Sequence, residues 1–257
     1  MSAPLRILIR AVVFDLFDTL VDLRGEDLPT EEHRGVRIPA SARQVHALVA
    51  ERHPVDFDAF QAAVLAGIRA FQESHLKHDR EVTTFERFTD ALARIGIEDP
   101  PLAERMTELH MGVLRSAVRV PAHHGAVLAA LRSRVRLGLC SNFSHSETAA
   151  RILDESGLAQ HLDAVVVSDA FGWRKPRREI FAEVVARLGV ASEETLHVGD
   201  SLHADVGGAA TAGMRTAWIT RRVRGAPEKL AEHRGPLPEF SLRDLEEVVA
   251  LVEDAGS

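Results

Sequence analysis

Short apolar runs and amphipathic runs alternate along most of the chain. Between the later apolar runs, hydrophobic residues recur every three or four positions, which predicts helices at residues 148–153 and 180–188, the second ended by Gly189. Strands that are apolar throughout and alternate with helices predict a parallel sheet covered on both faces. The predicted strands are five runs rich in valine, isoleucine and leucine: residues 9–16, 135–140, 164–167, 195–198 and 215–219.

The segment of residues 22–118 has a different pattern. It contains no convincing strand, and its apolar residues follow helical spacing over residues 42–51, 58–75, 84–95 and 102–118. Thr83 with Glu86 three positions later has the form of a capping box, so a helix is expected to begin there. The predicted α/β core therefore consists of residues 1–21 and 119–257, and the inserted α-helical cap domain of residues 22–118.

Composition places the chain among ordinary soluble globular proteins. Of its 257 residues, 46% are hydrophobic and 27% charged, and no run approaches the roughly 20 apolar residues of a membrane-spanning helix. The N-terminal stretch contains Arg6, Arg10 and Asp15 and lacks the form of a signal peptide. A single cysteine, Cys140, excludes an internal disulfide, and the net charge of −7 argues against a nucleic-acid partner. We expect a cytoplasmic protein with no membrane partner, of unknown oligomeric state.

Two of the predicted strands end in carboxylates. Asp15 and Asp18 lie in FDLFDTL, after the first strand, and Asp200 and Asp205 lie in VGDSLHADVGG, after the fourth. Ligands of open parallel sheets bind beyond the carboxyl ends of the strands, where an aspartate can attack a phosphoryl group or an alkyl carbon. Neighbouring carboxylates raise each other's pKa unless a cation lies between them, and oxygen ligands favour magnesium. The alternative is that Asp18 caps a turn, and that Asp200 and Asp205 only favour a helix N-terminus.

Two further motifs carry polar groups that suit an anion. Ser141 and Asn142 follow the second strand, where a hydroxyl, an amide and the N–H groups of the turn can hold a phosphoryl oxygen of a substrate. Both residues could instead cap the next helix. Lys175 precedes Pro176, which holds the lysine in an extended conformation. The alternative is that this segment is only a solvated basic turn. Cys140 points away from Ser141 and is expected in the core.

The four motifs occur in order, each at the end of a predicted parallel strand. This arrangement resembles the haloacid dehalogenase-like hydrolase superfamily over residues 12–220, and a helical insert directly after the first motif resembles its C1-type cap. The resemblance implies a Rossmann-like sheet with the first strand at its centre. It also implies that Asp15 is the nucleophile, Ser141 the phosphate-binding hydroxyl and Lys175 the lysine that stabilises charge and contacts the substrate.

The same resemblance implies a magnesium ion as cofactor and a small phosphorylated molecule as substrate. The implied ligands are Asp15, the backbone carbonyl of Phe17, Asp200 and Asp205, the last directly or through water. Three carboxylates against the single positive charge of Lys175 also require a divalent cation on electrostatic grounds.

Phe17 departs from the pattern of the family. Most of its phosphatases have an aspartate at this position, which protonates the leaving alkoxide and then activates water; loss of such an acid typically costs about 10²–10⁴-fold in rate. Asp18 is one place later, and alternation along a strand would direct it away from Asp15. We therefore expect no acid or base role for Asp18, and poor turnover of simple alkyl phosphates.

The 2-haloacid dehalogenases of this superfamily carry an aromatic residue at the position of Phe17, and a halide leaves without a proton. Those enzymes are metal-free and lack the Gly-Asp of the fourth motif, which this chain retains as Gly199 and Asp200. The preferred interpretation is a magnesium-dependent phosphatase that forms an aspartyl-phosphate on Asp15. The alternatives are a metal-independent 2-haloacid dehalogenase with the same nucleophile, and a weakly active or non-catalytic member of the family.

Thirteen histidines raise the question of a transition-metal site. His75 and His78 have helix-compatible spacing, and His123 and His124 are adjacent. Neither pair has a third ligand at metal-binding spacing, so the sequence predicts no zinc site.

Overall fold

The structure is a computed structural model that describes residues 8–256 of the chain, with the side-chain environments of residues 8–253. The strands are β1 (Ala11–Phe14), β2 (Asp22–Leu23), β3 (Thr30–His33), β4 (Val36–Pro39), β5 (Val118–Arg119), β6 (Arg136–Ser141), β7 (Ala164–Val167), β8 (Thr195–Gly199), β9 (Arg215–Ile219) and β10 (Phe240–Leu242). Six of them form one parallel sheet in the order β10-β9-β8-β1-β6-β7. The predicted Rossmann-like α/β core is confirmed, with β1 at its centre.

Helices flank this sheet and fill the insert between β1 and β6. They are α1 (Ala40–Ala50), α2 (Phe57–Ser74), α3 (Thr84–Arg94), α4 (Pro100–Ser116), α5 (His124–Arg132), α6 (Ser146–Glu155), α7 (Ser168–Phe171), α8 (Arg178–Leu188), α9 (Gly208–Thr211), α10 (Ala226–Glu232) and α11 (Glu247–Gly256). Within the part of the chain that the structure describes, none of these helices is long and apolar enough to cross a membrane.

Strand β1 is buried on both sides, which explains its continuous apolar sequence. Its side chains alternate between the faces of the sheet: Val12 and Phe14 join one hydrophobic cluster, whereas Ala11 and Val13 join the other. Helices α5, α6 and α11 cover the first cluster, and helices α8 and α9 cover the second. A strand in this position favours apolar side chains along its whole length, and the first carboxylate follows directly after it, at residue 15.

Helices α1 to α4 pack together on an apolar cluster of their own, which includes Phe60, Leu92 and Met106. The predicted capping box opens α3: the N–H of Glu86 donates to Thr83 Oγ1 at 3.0 Å, and the N–H of Thr83 donates to the Glu86 carboxylate at 2.7 Å. The insert is therefore mainly helical, as predicted, whereas its boundaries at residues 22 and 118 stay a prediction.

The insert also contains strands, so the expectation of none between residues 22 and 118 was wrong. Strands β3 and β4 form an antiparallel hairpin around Arg34 and Gly35, both at positive φ, and β2 pairs with β5 where the insert joins the core. The hairpin is mostly exposed and held by its backbone, so its sequence lacks the apolar alternation that predicts a strand. The edge strand β10 was not predicted, because only Leu242 of its three residues is buried.

Gly208 is packed where a larger residue would collide with the core. A Cβ atom at this position would lie 2.6 Å from the Phe181 ring and 2.8 Å from the Cα atom of Pro176. At Gly207 the nearest atom would be the Leu202 carbonyl oxygen, 3.4 Å away. The sequence indicates close helix packing at this glycine pair, and the contacts assign that packing to Gly208.

We expect Gly208→Ala to lower the free energy of unfolding by about 1–3 kcal/mol, because the backbone at Pro176 must shift. The matched variant Gly207→Ala should leave stability unchanged or raise it by up to about 1 kcal/mol, because alanine favours helical backbone. Urea unfolding of both variants measures the difference. Equal effects of the two substitutions would contradict this account.

Candidate active site

The carboxyl ends of the three central strands bring the predicted residues to one edge of the sheet. In the register of the ladder, Phe14 pairs with Leu139 on β6 and with Val198 on β8, and the N–H of Asp15 donates to the Val198 carbonyl at 2.9 Å. The residues that follow Phe14, Leu139 and Val198 along the chain therefore lie at the same edge of the sheet. Parallel topology alone brings together side chains that are more than 100 residues apart in sequence.

Lys175 lies at the centre of this space. Its Nζ donates to Asp15 Oδ1 at 2.7 Å, to Asp205 Oδ1 at 2.6 Å and to the carbonyl oxygen of Cys140 at 2.7 Å. The side chain is almost fully buried, and burial alone would lower its pKa. The attraction of Asp15 and Asp205 outweighs burial and raises the pKa of Lys175 above its usual range, so the ammonium keeps its charge.

Two carboxylates share this one cation. Burial raises the pKa of Asp15, and Asp205 adds to that effect while Lys175 opposes it. Burial also opposes ionisation of Asp205, but Lys175 and His197 outweigh it and hold the pKa of Asp205 below its usual range. One ammonium group therefore faces two carboxylates, and the pair carries one negative charge more than the lysine can balance.

Asp205 is fixed by groups that the sequence did not single out. His197 Nε2 lies 3.0 Å from Asp205 Oδ1, and the N–H of Ser201 donates to Asp205 Oδ2 at 3.0 Å. Burial lowers the pKa of His197, so the neutral ring donates to the carboxylate. A Cβ atom at Gly199 would lie 2.3 Å from Asp205 Cγ, so only glycine permits this approach. The one sequence signal for His197 is a histidine inside an apolar strand.

Asp200 lies beside the buried pair, and none of the residues with a described side chain forms a salt bridge with it. Burial, together with the charges of Asp15, Asp205 and Asp18, raises its pKa to about 7. One oxygen from each of Asp15, Asp200 and Asp205 lies within 4.8 Å of the others. Three hard oxygen donors with one lysine leave excess negative charge, and this donor set fits a divalent cation such as magnesium.

Ser141 and Asn142 occupy different roles in the structure. Ser141 is 1% exposed, and its Oγ has no hydrogen-bond partner among the described residues, so it is available to an entering ligand. Asn142 Nδ2 donates to the Lys175 carbonyl at 2.9 Å, and its Oδ1 accepts from the Lys175 N–H at 2.7 Å. Asn142 thus holds the backbone of Lys175, and its contact with substrate stays a prediction.

Asp18 does not follow the alternation expected from the sequence, because β1 ends at Phe14 and Asp18 lies in a turn with φ of +57°. Its Oδ1 accepts from the Leu23 N–H at 3.3 Å and from Arg222 Nε at 3.2 Å. The residue is therefore engaged in the turn, in keeping with the prediction that it takes no acid or base role.

Phe17 and Asn142 line a cavity of about 590 Å³ between the insert and the core, whose lining does not include Asp15, Asp200 or Asp205. The Phe17 ring packs edge-to-face on Phe143 at a centroid distance of 4.9 Å. The cavity is lined by apolar residues of the insert, with Arg87 and Arg174 as cations. A larger groove of about 840 Å³ lies at the opposite end of the sheet and contains none of the predicted site residues.

A buried carboxylate joins the insert to the core beside Lys175. Glu81 accepts from Arg174 Nη1 at 2.8 Å through both oxygens, and the Ser168 hydroxyl also donates to it. Glu81 and Arg174 are 93 residues apart, and no spacing in the sequence signals the pair.

Known proteins are similar to this chain in sequence. Residues 9–213 match the family described as hydrolase, haloacid dehalogenase-like hydrolase, and the chain belongs to that family. A phosphoserine phosphatase of Thermus thermophilus is 32% identical over 63% of this chain and 64% of its own. The 5-amino-6-(5-phospho-D-ribitylamino)uracil phosphatase YigB of Escherichia coli is 28% identical over 82% of this chain and 83% of its own.

Solved structures support the fold independently. A 2-haloacid dehalogenase from Pseudomonas syringae superposes with a TM-score of 0.70, at 21% identity, over 97% of this chain and 100% of its own. A HAD phosphatase from Thermococcus onnurineus gives a TM-score of 0.60, also at 21% identity, over 95% of this chain and 98% of its own. The fold is thus shared by enzymes of both reaction types.

We expect Asp200→Asn to stabilise the metal-free protein at pH 8 and to stabilise it much less at pH 5, where the carboxyl group is already mostly ionised in the unfolded state but still mostly protonated in the folded state. Folding raises the pKa of Asp200 from 3.8 to about 7, so the folded state holds this proton more tightly, and the contribution of the group to stability falls as pH rises through that window. The gain at pH 8 is at most about 4 kcal/mol.

Thermal unfolding in a chelator at both pH values measures this effect. Asp154→Asn, at an exposed aspartate of α6, serves as the control and should change stability at neither pH. A gain at pH 5 equal to that at pH 8 would show that relief of charge repulsion is not the cause.

Proposed function

We propose that the protein is a magnesium-dependent phosphatase of a small phosphorylated metabolite and acts through an aspartyl-phosphate on Asp15. The observation that carries the proposal is the cluster of Asp15, Asp200 and Asp205 around a single lysine, with the pKa of Asp200 raised to about 7. A pocket with this charge accepts a phosphate only together with a cation. The phosphatases among its relatives support the same reaction class.

The proposed chemistry assigns one task to each residue around Asp15. Oδ1 of Asp15 accepts from Lys175, which leaves Oδ2 to attack phosphorus while the bond from phosphorus to the leaving oxygen breaks. Lys175 offsets the charge of the carboxylate before attack and of the phosphoryl oxygens afterwards. The Ser141 hydroxyl, which has no partner among the described residues, donates to a phosphoryl oxygen. Water then hydrolyses the aspartyl-phosphate.

Asp15 and Asp200, with the Phe17 carbonyl, would hold the magnesium ion directly, and Asp205 through water, because both of its oxygens already accept hydrogen bonds within the protein. When bound, the ion neutralises charge on the phosphoryl oxygens. The role of the Phe17 carbonyl rests on the sequence pattern.

The side chain of Phe17 determines which leaving groups suit the site. Its ring cannot donate a proton, so the leaving oxygen must depart as a stable anion or take its proton from water. We therefore propose aryl or acyl phosphates in preference to simple alkyl phosphates. The apolar lining of the adjacent cavity supports a substrate with an apolar body, held between the insert of residues 22–118, acting as cap, and the core.

The second candidate is 2-haloacid dehalogenation, with attack by Asp15 on carbon and departure of halide. The specific observation in its favour is the packed pair of Phe17 and Phe143 at the entrance to an apolar cavity. The uncompensated carboxylate of Asp200 argues against it, because a metal-free site gains nothing from this charge. Assays of phosphate esters and 2-haloacids, with and without magnesium, separate the two reactions and also test for a non-catalytic protein. The cytoplasmic location and the lack of a nucleic-acid partner stay predictions.

We expect Asp15→Asn to abolish turnover and leave the fold intact. The amide is nearly isosteric with the carboxylate but is not a nucleophile, and Lys175 still has Asp205 as a charged partner when residue 15 is neutral. Phosphate release and thermal unfolding measure the two effects, and Asp154→Asn should behave as wild type. Retention of more than about a tenth of the wild-type rate would mean that Asp15 is not the nucleophile.

If the missing acid limits the enzyme, rates should fall steeply as the pKa of the leaving group rises. Phe17→Asp should then increase activity on alkyl phosphates by up to about 10²–10⁴-fold, the usual effect of a placed acid. In a dehalogenase the same substitution would only lower activity, because the ring would contact the halogenated carbon.

A leaving-group series measured on both proteins, with Phe17→Leu as an apolar control, decides the question. A flat dependence in the wild type would show that another residue donates the proton.

A further inference from the structure

We propose that the protein has a second metal site, formed by His123, His124 and Asp244, which takes a transition-metal dication of the zinc class. One ligand atom from each residue lies within 4.8 Å of the other two. The sequence predicted no zinc site because the histidine pair had no third ligand nearby. The fold supplies one from 121 positions away, where Asp244 precedes α11. This proposal does not depend on the proposed function.

His124 provides the strongest observation. Its side chain is 0% exposed, and Nδ1 lies 2.8 Å from the carbonyl oxygen of Leu20. A carbonyl oxygen only accepts, so Nδ1 carries the hydrogen and Nε2 carries a lone pair. Nε2 is buried and has no hydrogen-bond partner among the described residues. A buried nitrogen of this kind requires an explanation, and a metal ion provides one.

The hydrogen bond from His124 Nδ1 to the Leu20 carbonyl is of the kind that metal-binding histidines make with their other ring nitrogen. Such histidines donate their other N–H to a carbonyl or carboxylate, which fixes the ring and its tautomer. His124 is therefore arranged as a ligand without further movement.

The other two ligands lie on the solvent side of His124. His123 Nε2 lies 2.8 Å from Asp244 Oδ1, and His124 Nε2 lies 3.5 Å from the same oxygen without hydrogen-bond geometry. The Leu245 N–H donates to Asp244 Oδ1 at 2.6 Å and holds the carboxylate in place. The side chains of His123 and Asp244 are 42% and 28% exposed, so an ion can enter from solvent.

The donor set selects the class of metal. Two imidazoles and one carboxylate favour zinc and similar ions over magnesium, which prefers oxygen ligands, and leave an open position for water. The positive charge of Arg221 lies near His124. Arg221 forms a salt bridge with Asp22 through its two terminal nitrogens, Nη1 and Nη2. Its charge is thus compensated locally.

A metal here would connect three separate parts of the core. Leu20 belongs to the turn that leads from Asp15 toward the insert, His123 and His124 begin α5, and Asp244 lies between β10 and α11. We therefore assign the site a structural role in anchoring that turn.

The test is titration of zinc and cobalt into chelator-treated protein, with excess magnesium present to compete for sites made only of oxygen ligands. Calorimetry should give one zinc ion per chain, cobalt should show visible bands of nitrogen coordination, and zinc should raise the unfolding temperature. His123→Ala and Asp244→Asn, both at partly exposed positions, should each weaken zinc binding by at least about 100-fold, because even outer-shell changes cost about 10–100-fold.

Two controls separate this site from others. His78→Ala removes an exposed histidine elsewhere, and Asp200→Asn disables the carboxylate cluster; neither should change zinc affinity. Loss of zinc binding in Asp200→Asn with retention in His123→Ala would place the zinc at the cluster and overturn the proposal. Absence of zinc binding to the wild type would overturn it as well. Failure of magnesium-dependent phosphate release would instead count only against the proposed function.

Discussion

The contact on which the site depends is the buried ammonium of Lys175 between two carboxylates. Each partner would be costly to bury alone, because an ion transferred from water to the protein interior loses its hydration. Together they stay charged, and the surrounding structure serves to hold them: Asn142 fixes the backbone of Lys175, and His197 fixes Asp205. The glycine at 199 leaves room for that carboxylate. Removal of Lys175 would leave two buried carboxylates without compensation.

The same network explains the behaviour of the remaining carboxylate. Because Lys175 is already shared by Asp15 and Asp205, nothing in the described part of the chain neutralises Asp200. Asp200 therefore ionises near neutral pH, beside Asp15. Under the proposed function, a divalent cation would balance that charge.

The sequence predicted the parts of the molecule whose signal is local or follows from topology. Continuous apolar runs identified the central strands, and the rule that ligands bind at the carboxyl ends of parallel strands brought Asp15, Ser141 and Asp200 together. The exposed β3–β4 hairpin had no such signal, because backbone hydrogen bonds hold it. Pairs such as Asn142 with Lys175 and Glu81 with Arg174 depend on side chains 33 and 93 residues apart, and no local pattern encodes them.

The groups of the charge network all belong to the α/β core, whereas the apolar lining of the cavity comes largely from α1 to α4. Glu81, which pairs with Arg174, is the charged link from the insert to the segment that carries Lys175. Under the proposed function, reactivity and recognition would therefore lie in separate stretches of the chain. Substitutions at the residues that line the cavity would then change the preferred molecule and leave the ionisation of Asp15 undisturbed.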